Sequence, residues 1–135
     1  MALIEWNNMY SVNVAEIDQQ HQKLVELLNL LHDSIKAGKK DEILGQIYNE
    51  LVAYAVTHFN AEEALMKKAN YPDLEEHQEV HKSLIGRVQI LQKAYFDGSP
   101  TALNDTLEFL RNWLLKHIAG TDKKYSSALN KAGIR

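Results

Sequence analysis

The chain has 135 residues, enough for one domain, and its 45% hydrophobic and 24% charged residues can support a folded core. A formal net charge of −3 gives no general attraction for nucleic acid or anionic lipid, so we expect neither partner. No apolar run is long enough for stable membrane insertion, and the N-terminus lacks the basic and apolar segments of a secretory signal, which predicts a cytoplasmic protein.

Apolar residues recur at steps of three and four in four stretches, which is the pattern of helices with one buried face. Asp41 is the predicted N-cap of the second helix, and the turns before the third and fourth contain Pro72 and Pro100. A short tail helix is expected to reach about Ala132. The four main helices are predicted at about Asp18 to Ala37, Asp41 to Lys68, Leu74 to Phe96, and from near Thr101 through Ile118.

Four long helices with short connections predict an all-α fold, an antiparallel up-down four-helix bundle. We expect one domain over residues 1–135, with an irregular N-terminal arm at 1–16, the bundle at 17–119 and a C-terminal segment at 120–135. Four apolar residues of the arm are predicted to pack against the bundle, namely Trp6, Met9, Tyr10 and Val12.

Ionisable side chains lie on the apolar stripes of all four helices, where burial is costly unless the group is paired or binds a metal. A single buried histidine usually only hydrogen-bonds a carbonyl group, but histidines from four helices in one core favour a metal site. Two pairs have a spacing of four residues, which places both members on one helix face. The six residues are His21, His58, Glu62, His77, His81 and His117.

Two further residues have less certain places in this pattern. His32 lies one step off the stripe, so we assign it to the partly exposed surface without a functional role. Asp122 follows His117 by five residues, which on a regular helix turns it about 140° away. Gly120 between them would allow a π-type turn that brings Asp122 back, but Asp122 could equally cap the tail helix. The first alternative predicts an irregular helix at residues 117–122.

The types of donor restrict the metal. Cysteine is absent, so the ligands must be His, Asp, Glu or solvent, which favours iron or manganese. The histidines and carboxylates together are too many for one ion. They suit two ions of about six-fold coordination if Glu62 and Asp122 both bridge, with one shared oxygen and one position left open for a small ligand.

These motifs resemble the hemerythrin family, in particular its single-domain bacterial members, over nearly the whole chain. Residues 17–21 resemble the first ligand motif of the family. Residues 58–62 match its HxxxE motif, residues 77–81 its HxxxH motif and residues 117–122 its HxxxxD motif. The resemblance resolves the two alternatives for Asp122 in favour of a metal ligand.

The resemblance implies a cofactor of two iron ions, bridged by an oxo or hydroxo group, Glu62 and Asp122. It assigns three histidines to one iron and two to the other, which keeps the vacant position where O₂ binds reversibly. The first iron is held by His77, His81 and His117, and the second by His21 and His58.

The function expected from this resemblance is O₂ storage, transport or delivery to an oxygen-consuming enzyme, by a monomer that is not itself an enzyme. A dry O₂ pocket is predicted from Leu24, Phe59, Trp113 and Ile118, although each alone could be ordinary core. The alternatives are sensing of O₂ or nitric oxide, and a di-iron oxidase or iron-handling role. Carboxylate-rich oxidase sites use Glu-x-x-His pairs, unlike the His-x-x-x-Glu order here.

Overall fold

Five α-helices build the protein, as seen in a computed structural model that describes residues 4–135. Residues 1–3 of the predicted arm lie outside the described residues. No strand occurs within residues 4–135, which confirms the all-α prediction. The helices are α1 (Ala15–Lys36), α2 (Asp41–Lys68), α3 (Leu74–Phe96), α4 (Ala102–Lys116) and α5 (Lys123–Lys131), with a π-helical turn at His117–Thr121 between the last two.

The four long helices form the expected bundle. Each packs against the next in the chain, and α4 also packs against α1, which closes the bundle around one core. Helix α5 follows the π-helical turn and packs back on α2. The predicted bounds of α2 and α3 agree with the structure, whereas α1 begins at Ala15, three residues earlier than expected.

The helix ends explain why the predicted bounds were accurate. Gly38 and Gly98 have φ of 70° and 98°, and follow α1 and α3 in the left-handed conformation that closes a helix with little strain. Asn70 adopts the same left-handed conformation after α2, with φ of 54°.

The predicted N-cap of α2 was wrong. Lys40 is the cap, and Asp41 lies inside the first turn, where its charge favours the positive end of the helix dipole.

The N-terminal arm is held by polar contacts at its end. Asp18 accepts hydrogen bonds from the Ser11 hydroxyl at 2.6 Å and from the Val12 amide at 2.8 Å. The Ser126 hydroxyl of α5 donates to the Val12 carbonyl at 2.6 Å. Val12 is buried, while Trp6 and Tyr10 are partly buried against the core. The prediction for Met9 was wrong, since this side chain is 74% exposed.

Two apolar clusters fill the interior. The larger one occupies the body of the bundle and includes Leu24, Phe59 and Ile118. The smaller one joins the arm, α1, α2 and α5 through Val12, Ile17, Met66 and Tyr125, respectively. Across residues 4–135, no helix is long and apolar enough to cross a membrane.

Candidate metal centre

The predicted polar residues meet between the two apolar clusters. On α1, His21 lies one turn after Ile17 of the smaller cluster and one turn before Leu24 of the larger one. On α2, Glu62 lies between Phe59 of the larger cluster and Met66 of the smaller one. Seven ionisable side chains are therefore buried together, each at most 4% exposed. They are His21, His58, Glu62, His77, His81, His117 and Asp122.

The π-helical turn brings Asp122 into this cluster. The Asp122 amide donates to the His117 carbonyl, five residues back, at 2.8 Å. An α-helix bonds to the fourth residue back, so this turn holds one additional residue. The irregularity predicted for residues 117–122 is thus confirmed. Asp122 stands at the N-cap position of α5, but its carboxylate makes no capping hydrogen bond. A Cβ atom built on Gly120 would meet no atom within 4 Å, so crowding does not require glycine in this turn.

The seven residues form two overlapping groups of donor atoms. In each group, one donor atom per residue lies within 4.8 Å of the others, and Glu62 belongs to both. Asp122 also reaches both sides, since its Oδ1 lies 2.7 Å from His117 Nε2 and its Oδ2 lies 3.1 Å from His21 Nε2. The larger group contains Glu62, His77, His81, His117 and Asp122, and the smaller one contains His21, His58 and Glu62.

Several of these donor atoms lie close to one another but have no partner in hydrogen-bonding geometry. Among the side chains that the structure describes, every buried nitrogen or oxygen atom without a partner belongs to this cluster. Such atoms are costly to bury, and their concentration at one point indicates that a ligand satisfies them. Nitrogen and carboxylate oxygen are donors that iron accepts, so the residues fit a metal centre. The atoms are both nitrogens of His21, Nε2 of His81 and of His117, and both carboxylate oxygens of Asp122.

The two carboxylates determine the charge of the nearest histidines in the metal-free protein. Burial disfavours the charged form of His21 and His77, but close contacts with Asp122 and Glu62 outweigh it and raise the pKa of each to about 9. Burial lowers the pKa of His58, and the contact of this histidine with Glu62 offsets that effect only in part.

The carboxylates themselves stay ionised. Burial opposes their charge, but the surrounding histidines lower the pKa of both Glu62 and Asp122. Tyr125, on α5, donates from its hydroxyl to Glu62 Oε2 at 3.1 Å. Burial and the two nearby carboxylates raise the pKa of Tyr125, so this proton remains on the phenol.

In the metal-free protein, the imidazoles of His21 and His77 are expected to keep their charge at pH 7 and to lose it as the pH rises through about 9. Their contacts with the two buried carboxylates favour the charged form, which places each pKa above the ordinary histidine value. A titration of the imidazole NMR signals of the metal-free protein from about pH 6 to about pH 11 measures this. The absence of any histidine signal that titrates near pH 9 would contradict the expectation.

Two residues outside the predicted set contact the outer nitrogens of the histidines. His58 donates from Nδ1 to Gln20 Oε1 at 2.6 Å, and His81 donates from Nδ1 to Glu63 Oε2 at 2.7 Å. Sequence reasoning missed both. Nothing in the sequence distinguishes Gln20 from other polar residues. Glu63 comes four residues after Phe59, so the spacing could have identified it as a neighbour of Phe59 on the surface of α2.

The four residues of the predicted O₂ pocket lie around the cluster at different points. The Phe59 ring stacks on His81 at 3.9 Å between centroids, and the Trp113 ring stacks on His117 at 4.0 Å. Phe59 is also 5.5 Å from His58 and, with Leu24, lines a wholly apolar cavity of about 20 Å³. Ile118 lies apart from that cavity, on the side covered by the arm. His32 is at the partly exposed surface beside Asp33, as predicted.

Fold and site together define a helical-bundle protein with a buried, histidine-rich cluster that could bind metal. The family model described as "Hemerythrin HHE cation binding domain" matches residues 12–129. A bacteriohemerythrin from Methylococcus capsulatus is 37% identical over 131 residues, covering 96% of this chain and 99% of the relative. A hemerythrin-like protein from Naegleria gruberi is 32% identical, covering 92% of each chain.

Solved structures agree with these matches. The crystal structure of a wild-type hemerythrin has a TM-score of 0.86 and 35% identity, covering 95% of this chain and 98% of that chain. The chain belongs to the hemerythrin family. Membership supports an O₂-binding protein with a di-iron centre, and the cluster found here is suited to hold that cofactor.

Proposed function

We propose that the seven clustered residues are the ligands of the two irons. The observation that carries this proposal is the pair of overlapping donor groups that share Glu62. His77, His81 and His117 would hold one ion and His21 and His58 the other, while Glu62 and Asp122 bridge them. The contact of Asp122 with both His117 and His21 supports its bridging role.

The protein is proposed to bind O₂ reversibly for storage, transport or delivery to an oxygen-consuming enzyme. A ferrous pair in such a site supplies electrons that O₂ can accept and return. The chain itself supplies exclusion of water, since apolar clusters flank the ligands on both sides. Leu24 and Phe59 border the apolar cavity of about 20 Å³, which is large enough for a small apolar molecule and offers water no polar partner.

A carrier rather than an enzyme is favoured by the groups that surround the cluster. Among the described hydrogen bonds, the one that donates a proton to the cluster from outside the seven residues comes from the Tyr125 hydroxyl, which bonds to Glu62 and whose pKa is raised. A proton held this firmly is a poor source for general acid catalysis. The cytoplasmic location and the monomeric state stay predictions.

The test is to load the protein with Fe²⁺ under argon, count the metal, and record visible spectra through cycles of O₂ and argon. We expect two irons per chain and a charge-transfer band that appears with O₂ and disappears under argon. A band that forms once and never reverses would favour an oxidase or iron handling. More than two irons per chain would favour iron handling, and a large O₂-dependent change of shape would favour sensing.

A further inference from the structure

The ring of His81 is fixed by two residues of the neighbouring helix. Phe59 and Glu63 lie one turn apart on α2 and both contact His81 of α3. Phe59 stacks on the face of the imidazole at 3.9 Å, with 14° between the planes, and Glu63 accepts the Nδ1 proton at 2.7 Å. An ionised carboxylate can only accept, so this contact places the proton on Nδ1 and leaves the lone pair of Nε2 facing the cluster.

The outer partners of the histidines differ in charge. His58 bonds to the neutral amide of Gln20, and Nδ1 of His21 has no partner. Among the hydrogen bonds of residues 4–135, the contact with Glu63 is the one that joins a clustered imidazole to a carboxylate outside the seven. The negative charge therefore acts on one of the two donor groups, the one that contains His77, His81 and His117.

Glu63 also lies at the boundary with solvent. Its side chain is 21% exposed, whereas His81 is 3% exposed. Both line a groove of about 580 Å³ between α2 and α3, together with Glu79 and Lys82. Partial burial limits screening of the charge of Glu63 by water, so its effect on the ring persists.

We propose that Glu63 is a positioning residue that makes the two iron sites unequal. Its carboxylate sets the orientation and tautomer of His81 and, by its charge, strengthens electron donation from Nε2. The iron bound by His77, His81 and His117 is then retained longer and is harder to reduce than it would be with a neutral partner. This inference rests on the proposed ligand assignment, but not on reversible O₂ binding.

The test compares three variants of the diferric protein under argon. Glu63→Gln keeps an acceptor oxygen and removes the charge, whereas Glu63→Ala removes both. Glu79→Gln is the matched control because it removes the same charge from the same groove, where Glu79 forms an exposed ion pair with Lys82 at 3.9 Å. The measurements are the rate of iron loss to a chelator and the reduction potential from a spectroelectrochemical titration.

We expect Glu63→Gln to lose iron about 10- to 100-fold faster and to have a more positive potential than the wild type. Glu79→Gln should match the wild type in both measurements. Wild-type behaviour of Glu63→Gln, or an equal effect of Glu79→Gln, would overturn the inference, and so would a wild type that retains no iron. A wild type that holds two irons but binds O₂ irreversibly would contradict the proposed function and leave this inference standing.

Discussion

Replacing Glu62 with glutamine is expected to remove the di-iron centre while leaving the bundle folded. Oε1 of Glu62 lies 2.8 Å from His77 Nε2 and 3.1 Å from His81 Nε2, and its Oε2 lies 3.0 Å from His58 Nε2. No other residue belongs to both donor groups found in residues 4–135. An amide has about the same size, but it presents an NH₂ group to one side of the site and has no charge to offset the metal.

The expected iron content falls from two per chain to one or none. Iron that binds only the folded state stabilises it, by about 4 kcal/mol at a free concentration 1,000 times Kd, so the wild type should melt at a higher temperature with iron. The variant should show little or no such shift. Metal analysis and thermal unfolding by circular dichroism, each with and without iron, measure both effects.

Glu50→Gln is the matched control, because Glu50 lies on the same helix and is exposed. This variant should bind two irons and show the wild-type shift in melting temperature. If Glu62→Gln did the same, Glu62 would not be a bridging ligand and the proposed assignment would fail.

Replacing Trp113 with alanine is expected to shorten the lifetime of the oxygenated protein at least about tenfold, equivalent to about 1.4 kcal/mol in the barrier. The half-buried indole ring covers the imidazole of His117, with 16° between the two planes. It also contacts Phe59 edge-on at 5.7 Å and borders a surface groove of about 330 Å³ that reaches His117. Its removal would therefore open this side of the cluster to water and protons.

The decay of the O₂-dependent band measures the lifetime, and Trp113→Phe is the control because it keeps an aromatic ring over His117. Alanine should also cost about 3 kcal/mol of stability, the lower end for loss of a large aromatic side chain, since Trp113 is only partly buried. Unfolding must therefore be measured alongside decay. A Trp113→Ala variant that is folded and decays at the wild-type rate would show that Trp113 does not protect the site.

Local spacing explains why much of the site could be read from the sequence. His58 and Glu62, like His77 and His81, are four residues apart, and a helix holds such pairs on one face whatever surrounds it. The apolar residues of the same stripes show that this face is buried. The ends of α2 and α3 are also set by local sequence, because Asn70 and Gly98 adopt the left-handed conformation immediately after the C-cap residue of each helix.

Contacts between separate segments could not be predicted in this way. Gln20 and Glu63 reach His58 and His81 across helix pairs, and such contacts depend on how each helix is rotated about its axis. Met9 belongs to the same arm as Trp6 and Tyr10, yet its side chain is exposed while theirs pack against the core. Periodicity carries no information about an irregular arm.

By itself, the sequence determined the all-α class, the bounds of α2 and α3, and the burial of five histidines and Glu62, because each follows from helical spacing within one segment. Tertiary structure decided how the segments meet. It rotated Asp122 into the cluster through the π-helical turn at His117–Thr121 and placed Glu63 and Phe59 against His81. The packed core decides whether an amide bonds to the fifth residue back instead of the fourth, and how one helix is rotated against another. Residue spacing determines neither.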